Sequence, residues 1–152
     1  MTKPVIIALA QLNAHLGNVD ANIERLAKAR ETAALQGADM IVMPEMYLSG
    51  YPCDDLVLRP DFMVRIATGI EELTSLTADG GPAIVVGAPY AKDGKIYNSV
   101  FVLEGGEQVA RRDKVNLPNY GVFDDKRNFT PGDLPGPIML RGLKIGFPIC
   151  ED

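Results

Sequence analysis

The chain has 152 residues, 47% of them hydrophobic, which suits one domain with a core of its own and excludes collagen-like, low-complexity and disordered classes. Its 15 Lys and Arg against 20 Asp and Glu give a net charge of −5, so no basic field gathers nucleic acid or anionic lipid.

The run Val5-Ile6-Ile7-Ala8-Leu9-Ala10 predicts a strand covered on both faces; it is too short for a signal-peptide core or a membrane span, which predicts a cytoplasmic protein. A helix follows, capped by Asn18 or Asp20, with Ile23, Leu26, Ala27, Ala33 and Ala34 near a helical period and Gly37 closing it. Met40 to Met43 predict a second buried strand that Pro44 stops before Glu45. After a loop from Glu45 to Pro60, a second helix starts at Pro60 or Asp61 and carries Phe62, Ile66, Ile70 and Leu73 on one stripe. Ala83 to Val86 predict a third strand. Beyond Tyr90 the turn dipeptides Asp93-Gly94 and Gly105-Gly106 bracket Ile96 to Leu103, and Glu107 to Arg111 pair back as a β-meander. Val115 to Pro137, rich in proline and aromatic residues and without a period, predicts either an ordered functional loop or a poorly ordered one. Ile138 to Leu140, a turn at Arg141-Gly142 and a strand from Lys144 to Ile149 then lead into Cys150-Glu151-Asp152.

Three polar groups follow a predicted strand or sit beside one: Glu45, Lys114 and Cys150. Strand ends in α/β sheets hold catalytic side chains rigidly. Each also has a plainer explanation: a turn start for Glu45, a solvated face for Lys114 within Arg111 to Lys114, and an inert core thiol for Cys150. Together they supply a nucleophile, a base and an oxyanion partner without histidine. The sole histidine, His15, lies in an early loop and is expected on the surface. With one histidine and two cysteines, Cys53 and Cys150, no zinc or iron cluster is predicted.

The order Pro44-Glu45, Lys114 and Cys150-Glu151-Asp152 resembles the carbon-nitrogen hydrolase (nitrilase) superfamily. The string from Lys114 through Leu117-Pro-Asn-Tyr-Gly-Val-Phe-Asp124 to Phe129 is similar to the glutaminase branch that feeds NAD⁺ synthetases, as are Pro44 to Leu56 and Ala8 to Asn13. The resemblance implies an α/β fold, a four-layer α-β-β-α sandwich of which residues 1–152 form an N-terminal portion, the remainder and a C-terminal synthetase domain being absent. It further implies Glu45 as general base, Lys114 as oxyanion partner and Cys150 as the nucleophile that forms a thioester with glutamine. Tyr51, Tyr120 and Phe123 would line the glutamine pocket, and Glu151 would hold the substrate's amino group. The ammonia released would serve ATP-dependent amidation of nicotinic acid adenine dinucleotide to NAD⁺. No cofactor is implied for the glutaminase step, whereas ATP and Mg²⁺ would belong to the absent domain, in a homo-oligomer without nucleic acid or membrane partners. The alternatives are another superfamily amidase or carbamoylase, or an inactive fragment, and residues 1–152 alone are expected to be inactive and marginally folded. One departure stands out: Asp125 replaces the Glu typical of relatives, shortening an accessory carboxylate by one methylene.

Overall fold

The structure is a computed structural model and describes residues 4–152. Strands β1 (Ile7–Leu9), β2 (Met40–Val42) and β3 (Ala83–Lys92) run parallel, joined by helices α1 (Val19–Leu35) and α2 (Pro60–Leu76). Two tight turns then add β4 (Lys95–Glu104) and β5 (Glu107–Asp113) antiparallel, so the five-stranded sheet has sequential order. A short helix α3 (Asp125–Asn128) interrupts the following loop, and β6 (Ile138–Leu140) pairs with β7 (Leu143–Ile145) in a separate hairpin.

The period-2 alternation of the strands sorts the apolar residues onto two faces. Ile41, Ile84, Val86, Phe101 and Leu103 pack with Ile23 and Leu26 of α1 and Ile66, Ile70 and Leu73 of α2. Leu26 and Leu73 have no solvent exposure, and each such burial is worth about 1.5–3 kcal/mol against exposure. On the opposite face Met40, Ala83, Val85 and Val102 pack against Leu140, Ile138, Ile145 and Phe147 of the hairpin segment. Helical layer, sheet and hairpin make an α/β sandwich as expected; a second helical layer is not among the described residues. Asn18 caps α1 by accepting from the Ala21 amide at 3.1 Å, and Gly37 takes the left-handed conformation that ends it.

The hairpin is pinned at one end of the sheet. At its turn Arg141 donates from Nε to Glu104 at 2.7 Å, from Nη1 to Asp39 at 3.1 Å and from Nη2 to the Gly81 carbonyl at 3.0 Å. These partners mark the starts of β2 and β3 and the finish of β4, opposite the strand ends that carry Glu45.

Three sequence expectations need correction. The first strand is covered on one face: Ala8 packs towards the helices, but Ile7 and Leu9 are 49% and 68% exposed, because the hairpin covers the sheet around Met40 and Val102 and not its β1 edge. The third strand runs on to Lys92 through Pro89, which sits opposite Asn98; the Asn98 carbonyl bonds to Lys114 on the other side, so a proline without an amide fits there. The last strand stops at Ile145 instead of Ile149, since Gly146 and Pro148 weaken pairing, and Cys150 stands in a turn. The 115–137 loop is tied down by hydrogen bonds from Asp125 to Pro118, Thr130 to Ile96 and Gly132 to Lys114.

Candidate active site

Glu45 follows β2 and is pressed against the neighbouring strand. The Met43 amide donates to the Val85 carbonyl at 2.9 Å and the Leu48 amide to the Gly87 carbonyl at 3.0 Å. A β-carbon on Gly87 would lie 2.3 Å from the Met46 nitrogen and 3.0 Å from the Glu45 carbonyl carbon, so this close approach requires glycine. The glycine directly after the predicted third strand is the available sequence signal.

Lys114 follows β5 and is completely buried, which excludes the solvated-face explanation. Its amide extends the ladder to the Asn98 carbonyl at 2.8 Å, and its Nζ meets Glu45 Oε1 at 2.8 Å and Asp125 Oδ2 at 2.9 Å. Asp125, despite its shorter side chain, therefore reaches the cation from the start of α3. Burial alone would lower the Lys114 ammonium, but the Glu45 and Asp125 carboxylates outweigh it and hold it above its ordinary value. Asn98, buried in β4, donates from Nδ2 to Glu45 Oε1 at 2.7 Å. Sequence reasoning missed it, although Asn98-Ser99 is a polar pair interrupting an apolar strand.

Cys150 is exposed, against the inert-core explanation, and its backbone is left-handed at φ +50°. Such a conformation costs a non-glycine residue of order 1–3 kcal/mol unless its surroundings impose it. Here Asp152 does so: its Oδ1 accepts from the Val115 and Asn116 amides at 2.9 and 2.8 Å, and its Oδ2 from the Ile149 amide at 3.3 Å. One carboxylate thus ties the turn carrying Cys150 to the backbone just after Lys114. Loss of solvation and then the Glu45 carboxylate push the Cys150 thiol above its ordinary value, with Lys114 opposing. Cys150, Glu45 and Asn98 line one cavity of about 330 Å³. Cys53, by contrast, is buried against Met46 and Val57, and burial pushes its thiol up to about 11.

The four expected substrate contacts are less closely gathered. Tyr51 donates its hydroxyl to Asp125 Oδ1 at 3.0 Å and shares a cavity of about 250 Å³ with Phe123. Burial and then Asp125 raise the Tyr51 hydroxyl above its ordinary value. Tyr120 and Glu151 are hydrogen-bonded to each other and line a different cavity, of about 480 Å³. The Tyr120 and Phe123 rings meet edge to face, with centroids 5.8 Å apart, and so link the two. His15 is an exposed loop residue.

The carbon-nitrogen hydrolase family matches residues 6–152. A glutamine-dependent NAD(+) synthetase from Rhodobacter capsulatus is 39% identical over 152 residues, covering 100% of this chain and 27% of that protein. A solved glutamine-dependent NAD+ synthetase from Acinetobacter baumannii superposes with a TM-score of 0.90 at 38% identity, over 96% of this chain and 27% of that one. A solved amidase variant from Nesterenkonia sp. AN1, with the acetamide moiety of fluoroacetamide added covalently at its active-site cysteine, is 26% identical with a TM-score of 0.76, over 88% of this chain and 50% of that one. The chain thus spans about a quarter of the synthetases it matches.

Proposed function

The chain belongs to the carbon-nitrogen hydrolase family, and on that premise we propose that Cys150, Glu45 and Lys114 hydrolyse the side-chain amide of glutamine. The observation that carries this is Glu45 bound to a buried Lys114 at 2.8 Å while it lines one cavity with Cys150. Because the Cys150 thiol is raised, its proton has to be removed as the sulfur attacks, and Glu45 is the carboxylate beside it. The thiol proton passes to Glu45 and Sγ bonds to the amide carbon. The oxyanion that forms is stabilised by the Lys114 ammonium, already charged and already desolvated. Collapse breaks the carbon–nitrogen bond; the proton returns from Glu45 to the departing nitrogen, giving ammonia and a thioester. Glu45 then takes a proton from water, whose oxygen displaces sulfur to give glutamate, and passes that proton to the departing thiolate, which restores thiol and base.

Tyr51, Tyr120 and Phe123 wall the substrate and Glu151 holds its ammonium group. Residues 1–152 then form the start of a glutaminase domain whose ammonia feeds ATP-dependent amidation of nicotinic acid adenine dinucleotide by a C-terminal synthetase domain. The names of the synthetases it resembles support this, as does the share of their length that the chain spans. ATP and Mg²⁺ belong to that second domain, and homo-oligomerisation and a cytoplasmic setting complete the proposal. No helix among the described residues is long and apolar enough to cross a membrane.

The test is a diazoketone analogue of glutamine applied to the protein at its full encoded length. One adduct on the peptide containing Cys150, blocked by glutamine and absent from Cys53, is the expected result. Labelling at Cys53 would overturn the nucleophile assignment. Protection by simple aliphatic amides but not by glutamine would move the protein to the amidases.

A further inference from the structure

Glu45 receives two hydrogen bonds on one oxygen. Lys114 Nζ at 2.8 Å and Asn98 Nδ2 at 2.7 Å both meet Oε1. The Asn98 amide has to present its nitrogen there, since its oxygen would repel the carboxylate. Asn98 is 1% exposed, and its backbone carbonyl accepts from the Lys114 amide at 2.8 Å, so one residue of β4 addresses both the carboxylate and the cation. Lys114 by itself does not fix the carboxylate. Its charge is shared with Asp125, and without a second donor Glu45 is free to turn both oxygens towards the ammonium.

We propose that Asn98 is a positioning residue that anchors Oε1 of Glu45 and thereby reserves Oε2 for the proton of Cys150. This rests on the amide-hydrolysis mechanism above and does not require the substrate to be glutamine. The titratable groups around Glu45 are Lys114 after β5, Asp125 on α3, Tyr51 in the loop after β2 and Cys150 after β7, with Glu151 beyond the thiol. Asn98 itself does not titrate, so exchanging it changes the local charge or the geometry without removing any of these groups.

The variants are Asn98→Asp, which keeps the shape and replaces a donor with a carboxylate, and Asn98→Ala, which removes the contact. Both are made in the protein at its full encoded length, and Cys150 alkylation by iodoacetamide is followed against pH alongside glutamine turnover. N98D should move the acid limb of both profiles upward by about one pH unit, as an added like charge does. N98A should lower kcat by about tenfold or more while KM stays within about threefold, as loss of an aligned base does. Either variant decides the matter if the other fails to fold. Unshifted profiles and unchanged kcat in a folded variant would overturn the proposal, whatever its melting temperature. Shifted alkylation in a protein that leaves glutamine untouched would reject the glutamine assignment and keep Asn98 in its role.

Discussion

The buried cluster around Lys114 and the open cluster around Glu151 are built on opposite plans. In the first, Glu45, Asn98, Lys114 and Asp125 are joined by short hydrogen bonds, and Lys114 has no contact with solvent. In the second, Tyr120 is 60% exposed, and Glu151 meets it through one hydrogen bond at the surface. Groups that act on developing charge gain from being fixed and dry before the substrate arrives, whereas groups that recognise an amino acid have to exchange solvent or each other for it.

The largest effect should come from removing the cation at the centre of the fixed cluster. Lys114→Met leaves two carboxylates facing an apolar side chain, so kcat should fall by at least about 10², with glutamine affinity within a few-fold. Breaking a buried ion pair by removing one partner costs about 3–5 kcal/mol, so chemical denaturation should show the loss as well. Normal turnover by this variant would dissolve the contrast between the clusters.

Gly87→Ala asks how rigid the cluster's frame is. The new methyl overlaps the Met46 amide, and the Glu45 loop has to move off β3, at a cost of about 1–3 kcal/mol in stability. The displaced base should lower kcat by about tenfold or more, with KM little changed. A stable, fully active G87A would show that the loop tolerates displacement and that tight seating is not what the chemistry needs.

A smaller and opposite signature is expected at the open cluster. Glu151→Gln keeps the shape but loses the charge that pairs with an ammonium group, so KM for glutamine should rise roughly tenfold, with kcat changed by a few-fold. Steady-state kinetics on glutamine separate the two parameters. A fall in kcat at constant KM would place Glu151 with the fixed groups instead.

Much of this division is legible in the sequence, and where it is not the reasons are physical. Glu45 and Lys114 could be located because strands end just before them and chain order sets which side of the sheet they reach. The partner of a buried charge is another matter. Asp125 lies in an aperiodic loop among several acidic residues, and the chain path around α3 decides which of them reaches Lys114. Asn98 sits in a strand recognised for its apolar residues, and its partner Glu45 is 53 residues away. The apolar run up to Ile149 predicts a strand that delivers Cys150 at its end, but β7 pairs with β6 over three positions and ends at Ile145. Its left-handed backbone and its tie through Asp152 arise from that early ending.

The Arg141 anchor gives the hairpin a mechanical role. Glu104 lies six positions along β4 from Asn98, so at about 3.4 Å per residue the pin stands some 20 Å from the base's donor. From there the chain returns towards the active end through β7 and then spans the five positions from Ile145 to Cys150, a tether with a reach of at most about 17 Å. Asp152 holds the far end of this tether to the backbone after Lys114, so the path to the sulfur is fixed at both ends. Damage at Arg141 would therefore loosen one of the two anchors of the Cys150 segment while leaving Glu45, Lys114 and Cys150 themselves unaltered.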